Sequence, residues 1–435
     1  MNTPNKTFVK LLLSLLFPAL ACQAYAGEQR DLVSLYKHLH QNPELSFQEQ
    51  QSAALLTDEL RQLGFKVTPG VGGHGLVALL HNGDGPTVMV RADMDALPVK
   101  EQTGKPYAST KTVTDENGKT VHVMHACGHD VHMTVLVGTA RQLVKDKDSW
   151  SGTLMMIGQP AEERGAGARA MLEEGLFERF PVPDYNLMMH ADATLPAGKI
   201  GYTPEYGMAN AQTATIRVKG IGGHGAIPQK TKDPVVLTAQ IITGLQTIVS
   251  REISPLDPGV ISVGSIHGGT KGNIIPDYVD LQLTIRSYRD DVHKQLTDAI
   301  SRIAIGQAKS YGLPDELMPE ITFRANYTPA VYNTPALTER LIPVLNNILS
   351  KDNVLEIPPV MAAEDFARYG RTKERIPTHM FWLGAVNPAL YAEATKKGES
   401  LPSLHSPFFA PEPEPTLKTG VSAMTALVKE LMEKK

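Results

Sequence analysis

Cysteine is scarce in this 435-residue chain, which has two, Cys22 and Cys127. That excludes the disulfide framework by which small secreted domains are stapled. Basic residues are not gathered into a stripe that tracks a phosphate backbone, and the net charge is -4, so no nucleic-acid partner is expected. The apolar run Leu11 to Ala21 falls well short of the roughly 20 residues that span a bilayer. Internal repeats and low-complexity stretches are also lacking, apart from a Pro-rich turn at Pro411 to Pro415. With 42% hydrophobic and 20% charged residues, the composition is that of a soluble globular enzyme and excludes a disordered or fibrous chain.

What is present begins with a leader. Lys6 and Lys10 precede the apolar run, and Ala24-Tyr25-Ala26 stands before the polar Gly27-Glu28-Gln29. This tripartite pattern predicts a secretory signal peptide over residues 1–26, cleaved after Ala26. The product is expected to be exported, periplasmic or secreted, with no stable membrane span. A lipoprotein acylated at Cys22 is the minor alternative, because Ala19-Leu20-Ala21 is an indifferent match to a lipobox. Cleavage removes two lysines and no acids, leaving a charge of about -6 and a single thiol. Cys127 then has no internal disulfide partner, and a buried inert thiol is the ordinary reading of such a residue.

At roughly 150 residues per domain the length predicts two or three domains, and the distribution of chemistry favours two. Leu32 to His40 and Gln48 to Leu63 have helical apolar spacing, the second ending at a Gly64 cap. Short apolar runs at Leu76 to Leu80, Thr87 to Arg91, Thr153 to Gln159 and Tyr185 to His190 read as buried strands. Helices over Val131 to Lys145 and Ala166 to Glu174 alternate with them, which predicts an α/β layer sandwich. From residue 209 to 326 a compact unit follows. Its strands are Thr213 to Lys219, Val260 to Ile266, Val279 to Ser287 and Ile321 to Asn326, and its helices Pro234 to Glu252 and Val292 to Tyr311. That βαββαβ order is ferredoxin-like and marks an inserted second domain. The expected division is 27–208 and 327–435 for the catalytic domain, whose last part, with strand Met380 to Leu383 and helix Thr416 to Lys434, completes the first sheet.

The densest chemical signal is His125-Ala126-Cys127-Gly128-His129-Asp130-Val131-His132, between a strand and a helix. Open α/β sheets bind ligands at such turns, and thiolate with imidazole is the donor set of borderline divalent metals. Coordination by Cys127 and His129 would also account for the lone thiol, while His125 and His132 are read as supporting residues. Gln159-Pro160-Ala161-Glu162-Glu163 ends an apolar strand. Adjacent carboxylates on an extended segment face opposite ways, so one can ligate while the other serves as a base in metal-assisted hydrolysis. His190 closes another apolar strand, and His405 sits in Leu404-His405-Ser406-Pro407. Together these give one thiolate, one carboxylate and three imidazoles, enough for two metals.

The chain resembles the amidohydrolase branch of the aminoacylase and glutamate carboxypeptidase superfamily, which includes hippurate hydrolases and indole-3-acetyl-amino-acid hydrolases. The resemblance runs through Arg91-Ala92-Asp93-Met94-Asp95-Ala96-Leu97-Pro98, the Cys-Gly-His-Asp core and Gln159 to Glu163. It continues through Gly222-Gly223-His224-Gly225-Ala226, Gly268-Gly269-Thr270 with Asn273-Ile274-Ile275-Pro276, and Ala363-Glu364-Asp365-Phe366. It implies that Cys127 bridges two divalent ions, with His129, Glu163, His190 and His405 as the other ligands and Glu162 as general base. Asp95 would orient a ligand or support the cluster from behind it. The inserted domain would be a lid and a homodimer surface, from which His224 stabilises the developing oxyanion, in its own subunit or across the dimer. Asn273 and Arg286 would hold the substrate's carbonyl and carboxylate. Zinc or manganese is expected first, with cobalt and nickel also open.

Two departures stand out. Many relatives have a second histidine where this chain has Gln229, and residues Thr112 to Thr120 form an insertion that reads as a polar hairpin beside the site, able to alter which acyl groups fit. The expected activity is hydrolysis of the amide bond of N-acyl amino acids. A metal-dependent dipeptidase or carboxypeptidase is the alternative within enzymes, and a catalytically silent periplasmic binding protein the one outside them.

Overall fold

The structure is a computed structural model that describes residues 31–325 and 327–434. The signal-peptide segment and Cys22 lie outside the described residues, as does Asn326. Eight strands form one mixed sheet. From edge to edge they are Lys66–Pro69, Leu76–Asn82, Gly152–Gln159, Thr87–Asp93, Tyr185–Pro196, Thr378–Val386, Ile200–Tyr202 and Val354–Glu356. The central strands Gly152–Gln159, Thr87–Asp93, Tyr185–Pro196 and Thr378–Val386 run parallel to their neighbours in that group. Strand Thr378–Val386, from the C-terminal part of the chain, lies deep in the sheet and pairs with Tyr185–Pro196 in parallel, Thr378 opposite Asn186.

Both faces of this sheet are covered, which is why its strands read as unbroken apolar runs with no alternation. Leu154 and Met156 turn to one side, against Leu56, Leu136, Leu341 and Leu427 of the packed helices. Met155 and Ile157 turn to the other, against Met171, Phe366 and Tyr369. A second, four-stranded sheet has the order Gly259–His267, Tyr278–Ser287, Gln212–Lys219, Glu320–Phe323 and is antiparallel throughout. Helices Pro234–Thr247 and Asp290–Ser310 pack on it through Leu237, Ile241, Leu296 and Ile300, giving a separate apolar core. The connection order is βαββαβ, and the outer strand of the unit in sequence closes one edge in space.

Element limits moved in instructive places. The strand read as Tyr185 to His190 continues to Pro196, because Ala191, Ala193 and Leu195 keep it buried beyond the histidine. The helix read as Pro234 to Glu252 is α-helical only to Thr247; residues Ile248–Glu252 widen into a π turn, closed by the amide of Ile253 donating to the carbonyl of Ile248. The segment read as Ile321 to Asn326 is a strand over Glu320–Phe323.

Candidate metal centre

The site lies where the parallel strands of the large sheet end at their carboxyl side, the position at which open α/β sheets receive ligands. Helix His129–Lys145 starts there, and its N-cap Gly128 has φ 84°. A Cβ on Gly128 would stand 2.8 Å from the Cβ of Ala191, on the strand that carries His190. Glycine is thus required twice, for the left-handed backbone and for the close approach, and Cys127 and His129 are pinned beside His190 as a result. Gly128→Ala is expected to destabilise the protein by about 1–3 kcal/mol and to weaken metal uptake. A denaturant titration together with a metal titration measures both effects.

Four of the predicted donors meet around the fifth. The Sγ of Cys127 is 3.2 Å from Nε2 of His405 and 3.7 Å from Nε2 of His190. Nε2 of His129 is 3.8 Å from one oxygen of Glu163, whose other oxygen is 3.6 Å from Nε2 of His405. Two donor triads, Cys127 with His129 and His190 and Cys127 with Glu163 and His405, share the thiol. Tautomers are set from outside the cluster: Nδ1 of His129 donates to the carbonyl of Asp95 at 2.7 Å, and Nδ1 of His190 donates to the carbonyl of Ala191 at 2.8 Å. Each ring therefore turns an Nε2 lone pair inward, as a ligating histidine does.

The residues fit a pair of cations on two further counts. Nε2 of His129 and one carboxylate oxygen of Glu163 are buried with no hydrogen-bond partner, a cost that a native protein normally avoids. Negative charge is also in excess, because Asp93, Asp95, Glu162, Glu163 and Glu364 crowd the space, and the Arg91 guanidinium forms its ion pairs with Asp93, Glu364 and Asp365. Burial raises the carboxyl of Glu163 to about 8 and that of Glu162 well above its ordinary range, with Glu364 adding to the second. Burial opposes a proton on His129, yet Asp93, Asp95 and Glu163 outweigh it and lift its pKa to about 10. Burial first, then Glu163 and Glu162, push the Cys127 thiol up. Divalent cations reverse all of these tendencies, since a coordinated thiol is deprotonated.

Glu162 and Glu163 do not divide their tasks as neighbours on an extended strand. They stand on a 3-10 turn, Glu162–Arg164, entered through Ala161 at φ 50° and left through Gly165 at φ 58°. Asp95 holds this turn, accepting the amide of Glu162 at 3.1 Å and that of Glu163 at 3.0 Å, while Ser46 donates its hydroxyl to the same carboxylate. His405 likewise has a left-handed backbone, φ 66°. Strained non-glycine residues on both sides of one cluster are what a functional site retains against their cost of about 1–3 kcal/mol each.

Arg286 lines the same cavity of about 460 Å³ as Cys127, Glu162, Glu163, His190 and His405. His224 and Asn273 do not. His224 pairs with Ile274 in a two-stranded ribbon, Gly223–His224 with Ile274–Ile275, Asn273 just before it accepts the amide of Gly225 at 2.9 Å, and both His224 and Asn273 are exposed. Gln229 is exposed on the following 3-10 turn. Sequence reasoning missed Asp93, which accepts from Nδ1 of His132 at 2.5 Å and lies 3.5 Å from Nε2 of His129. Its place at the end of the apolar strand Thr87–Asp93, inside the Arg91 to Pro98 motif, was the available signal. It missed Glu364 as well, whose only marker was its place in a matched motif. His132 proves to be a brace between Asp93 and the amide of Ala191, whereas His125 is buried with neither ring nitrogen bonded and is pushed down to about 4 by that burial.

A family model described as Peptidase family M20/M25/M40 matches residues 89–430. Thermostable carboxypeptidase 2 of Saccharolobus solfataricus is 37% identical over 400 residues, which cover 91% of this chain and 94% of that protein. N-acetyl-L-cysteine deacetylase of Bacillus subtilis is 32% identical over 362 residues, 82% of this chain and 80% of the other. Among solved structures, the Bacillus subtilis YXEP protein, a dinuclear metal binding peptidase from the M20 family, is similar with a TM-score of 0.73 and 28% identity, over 92% of this chain and 97% of that one.

Proposed function

From the premise that this chain belongs to peptidase family M20/M25/M40 and is a metal-dependent hydrolase of amide bonds, we propose that its substrates are N-acyl amino acids. One observation carries the choice. The guanidinium of Arg286 lines the cavity of the donor cluster, is more than half buried, and has no carboxylate partner among the described residues; its one hydrogen bond is to the hydroxyl of Thr284, at 3.2 Å. A buried cation without a counter-charge is costly, and a substrate carboxylate on the amine side of the scissile bond offsets that cost through a two-pronged pair. Arg286→Ala is expected to lower kcat/KM by roughly 10- to 100-fold, mostly through KM, as steady-state kinetics will report.

Cys127, His129, Glu163, His190 and His405 would hold two divalent ions, zinc or manganese before cobalt or nickel. When bound, these ions would lower the pKa of a water and polarise the amide carbonyl. Glu162 takes the proton of the attacking water and delivers it to the nitrogen of the departing amine. Its main-chain amide is tied to Asp95, which fixes where that proton is held. A pure binding protein has no use for such a second buried carboxylate beside the ligands.

A carboxypeptidase or dipeptidase reading is favoured by the similarity to a carboxypeptidase, and Arg286 would serve it equally by taking a peptide's terminal carboxylate. Turnover of N-acetyl and N-benzoyl amino acids against dipeptides, at identical metal loading, separates the two. If only dipeptides are cleaved, the N-acyl assignment is wrong. The inserted unit would act as lid and homodimer surface: it exposes Val235, Val236, Ile266 and Ile274, and a partner copy would bring His224 and Asn273 to a cavity that their own subunit does not offer them. Sedimentation of the full chain tests the dimer. Export follows from the leader pattern alone, and a mature N-terminus at Gly27 is the outcome that supports it.

A further inference from the structure

One member of the donor cluster, Glu163, lines two cavities. Glu163 and Arg164 line the cavity that holds Arg286, and both also line a second one, of about 450 Å³, on the far side of their turn. Its floor is apolar, made by Leu45, Ala96, Leu97 and Pro98 together with the ring of Phe47. Phe47 has a left-handed backbone, φ 64°, and stays 37% exposed. A bulky side chain in that region is a genuine outlier, and here the strain leaves an aromatic ring facing open space without a packed core around it. The opposite wall is the tip of the hairpin Thr112–Thr114 and Thr120–His122, through Asp115, Glu116 and Asn117.

The hairpin is built and tethered. Asp115 accepts the amides of Asn117 and Lys119 at 2.9 and 2.8 Å, which closes the turn. Glu116 forms an ion pair with Arg164, the residue directly after the Glu162–Glu163 pair. At the floor, Ser46 donates to Asp95, which holds the same turn from behind. Both walls of the second cavity are thus fixed to the segment that carries the general base and a metal donor.

We infer that this cavity receives the group on the carbonyl side of the scissile amide, that its hairpin wall determines which group is accepted, and that the favoured class is an apolar, preferably aromatic, acyl group. The inference rests on the proposed reading of Arg286: with the amine-side carboxylate in the first cavity, the lining shared at Glu163 and Arg164 puts the second cavity next to the cluster for the remainder of the substrate. The ring of Phe47 and the aliphatic floor suit an apolar group. Glu116 is paired with Arg164, which leaves Asp115 as the rim carboxylate that disfavours an acyl group carrying its own negative charge.

The test uses the full-length, metal-loaded protein and two hairpin variants, Asn117→Trp, which fills the cavity from its exposed edge, and Glu116→Gln, which releases the tether to Arg164. The N-acetyl and N-benzoyl derivatives of one amino acid are compared, with metal content measured for each variant. The benzoyl-to-acetyl ratio of kcat/KM is expected to fall roughly ten-fold or more in Asn117→Trp, and KM for the benzoyl compound to rise several-fold in Glu116→Gln. If both variants keep their metal and leave the ratio within about two-fold, the inference is overturned. Should Asn117→Trp fail to fold or to hold metal, Glu116→Gln decides alone. A wild type that cleaves only dipeptides removes the N-acyl reading and not this one, for the same ratio is then taken between Phe and Gly at the amino-terminal position. Were nothing cleaved, dissociation constants of the same ligands replace kcat/KM, and constants unchanged by the variants overturn the subsite.

Discussion

Glu162→Gln is expected to bind its metals as the wild type does and to lose between about 10² and 10⁴ in kcat. The substitution preserves shape and leaves the main-chain amide on Asp95, so the turn that presents Glu163 has no reason to move. What disappears is the ability to accept a proton. Nothing nearby can substitute: Glu364 and Asp93 are engaged with Arg91 and His132, and Glu163 belongs to the donor set. The measurement is steady-state kinetics beside elemental analysis of the purified variant. A variant with normal metal content and activity within ten-fold of the wild type would remove Glu162 from the mechanism, and a variant that loses its metal would make it a ligand.

Cys127→Ala should have the largest effect on stability and should abolish activity as well. The thiol is shared by both donor triads, so its loss weakens two sites at once, and the variant is expected to retain at most one equivalent of metal. The cations offset a crowd of buried carboxylates, and ligand linkage is worth about 2.7 kcal/mol at a free concentration 100 times the dissociation constant. Thermal unfolding of the metal-loaded variant is therefore expected about 5–10 °C below that of the wild type. In excess chelator the two should converge, because the wild type then loses the same stabilisation. A full metal complement in Cys127→Ala, or a chelator that leaves the wild-type transition in place, would refute the shared-thiol arrangement.

Much of the candidate site could be read along the chain because its signals are local. Cys127, Gly128 and His129 are consecutive and stand between a strand and a helix, and His190 ends the apolar stretch that sequence periodicity can detect. The Glu162–Glu163 pair was found for a partly mistaken reason, since the two carboxylates diverge on a 3-10 turn and not along a strand. The two units were legible because a half-buried antiparallel sheet and a doubly covered parallel sheet leave different apolar patterns. The supporting layer was not. Arg91 meets Glu364 across 273 positions and His132 meets Asp93 across 39, and nothing in either partner's neighbourhood names the other.

By itself, then, the order of residues determined the donor types, the strand-to-helix turn that presents Cys127 and His129, and the alternation of elements that makes an α/β layer with an inserted βαββαβ unit. These depend on interactions within a few residues: backbone conformation at Gly128, apolar periodicity, the chemistry of thiolate and imidazole. Tertiary structure decided which imidazole nitrogens face inward, that Asp93 and Glu364 crowd Glu162, that Arg286 shares the cluster's cavity while His224 and Asn273 do not, and that an exposed hairpin walls a second cavity. Those outcomes are set by contacts between segments distant in sequence, whose energy exists only once the sheet has been assembled.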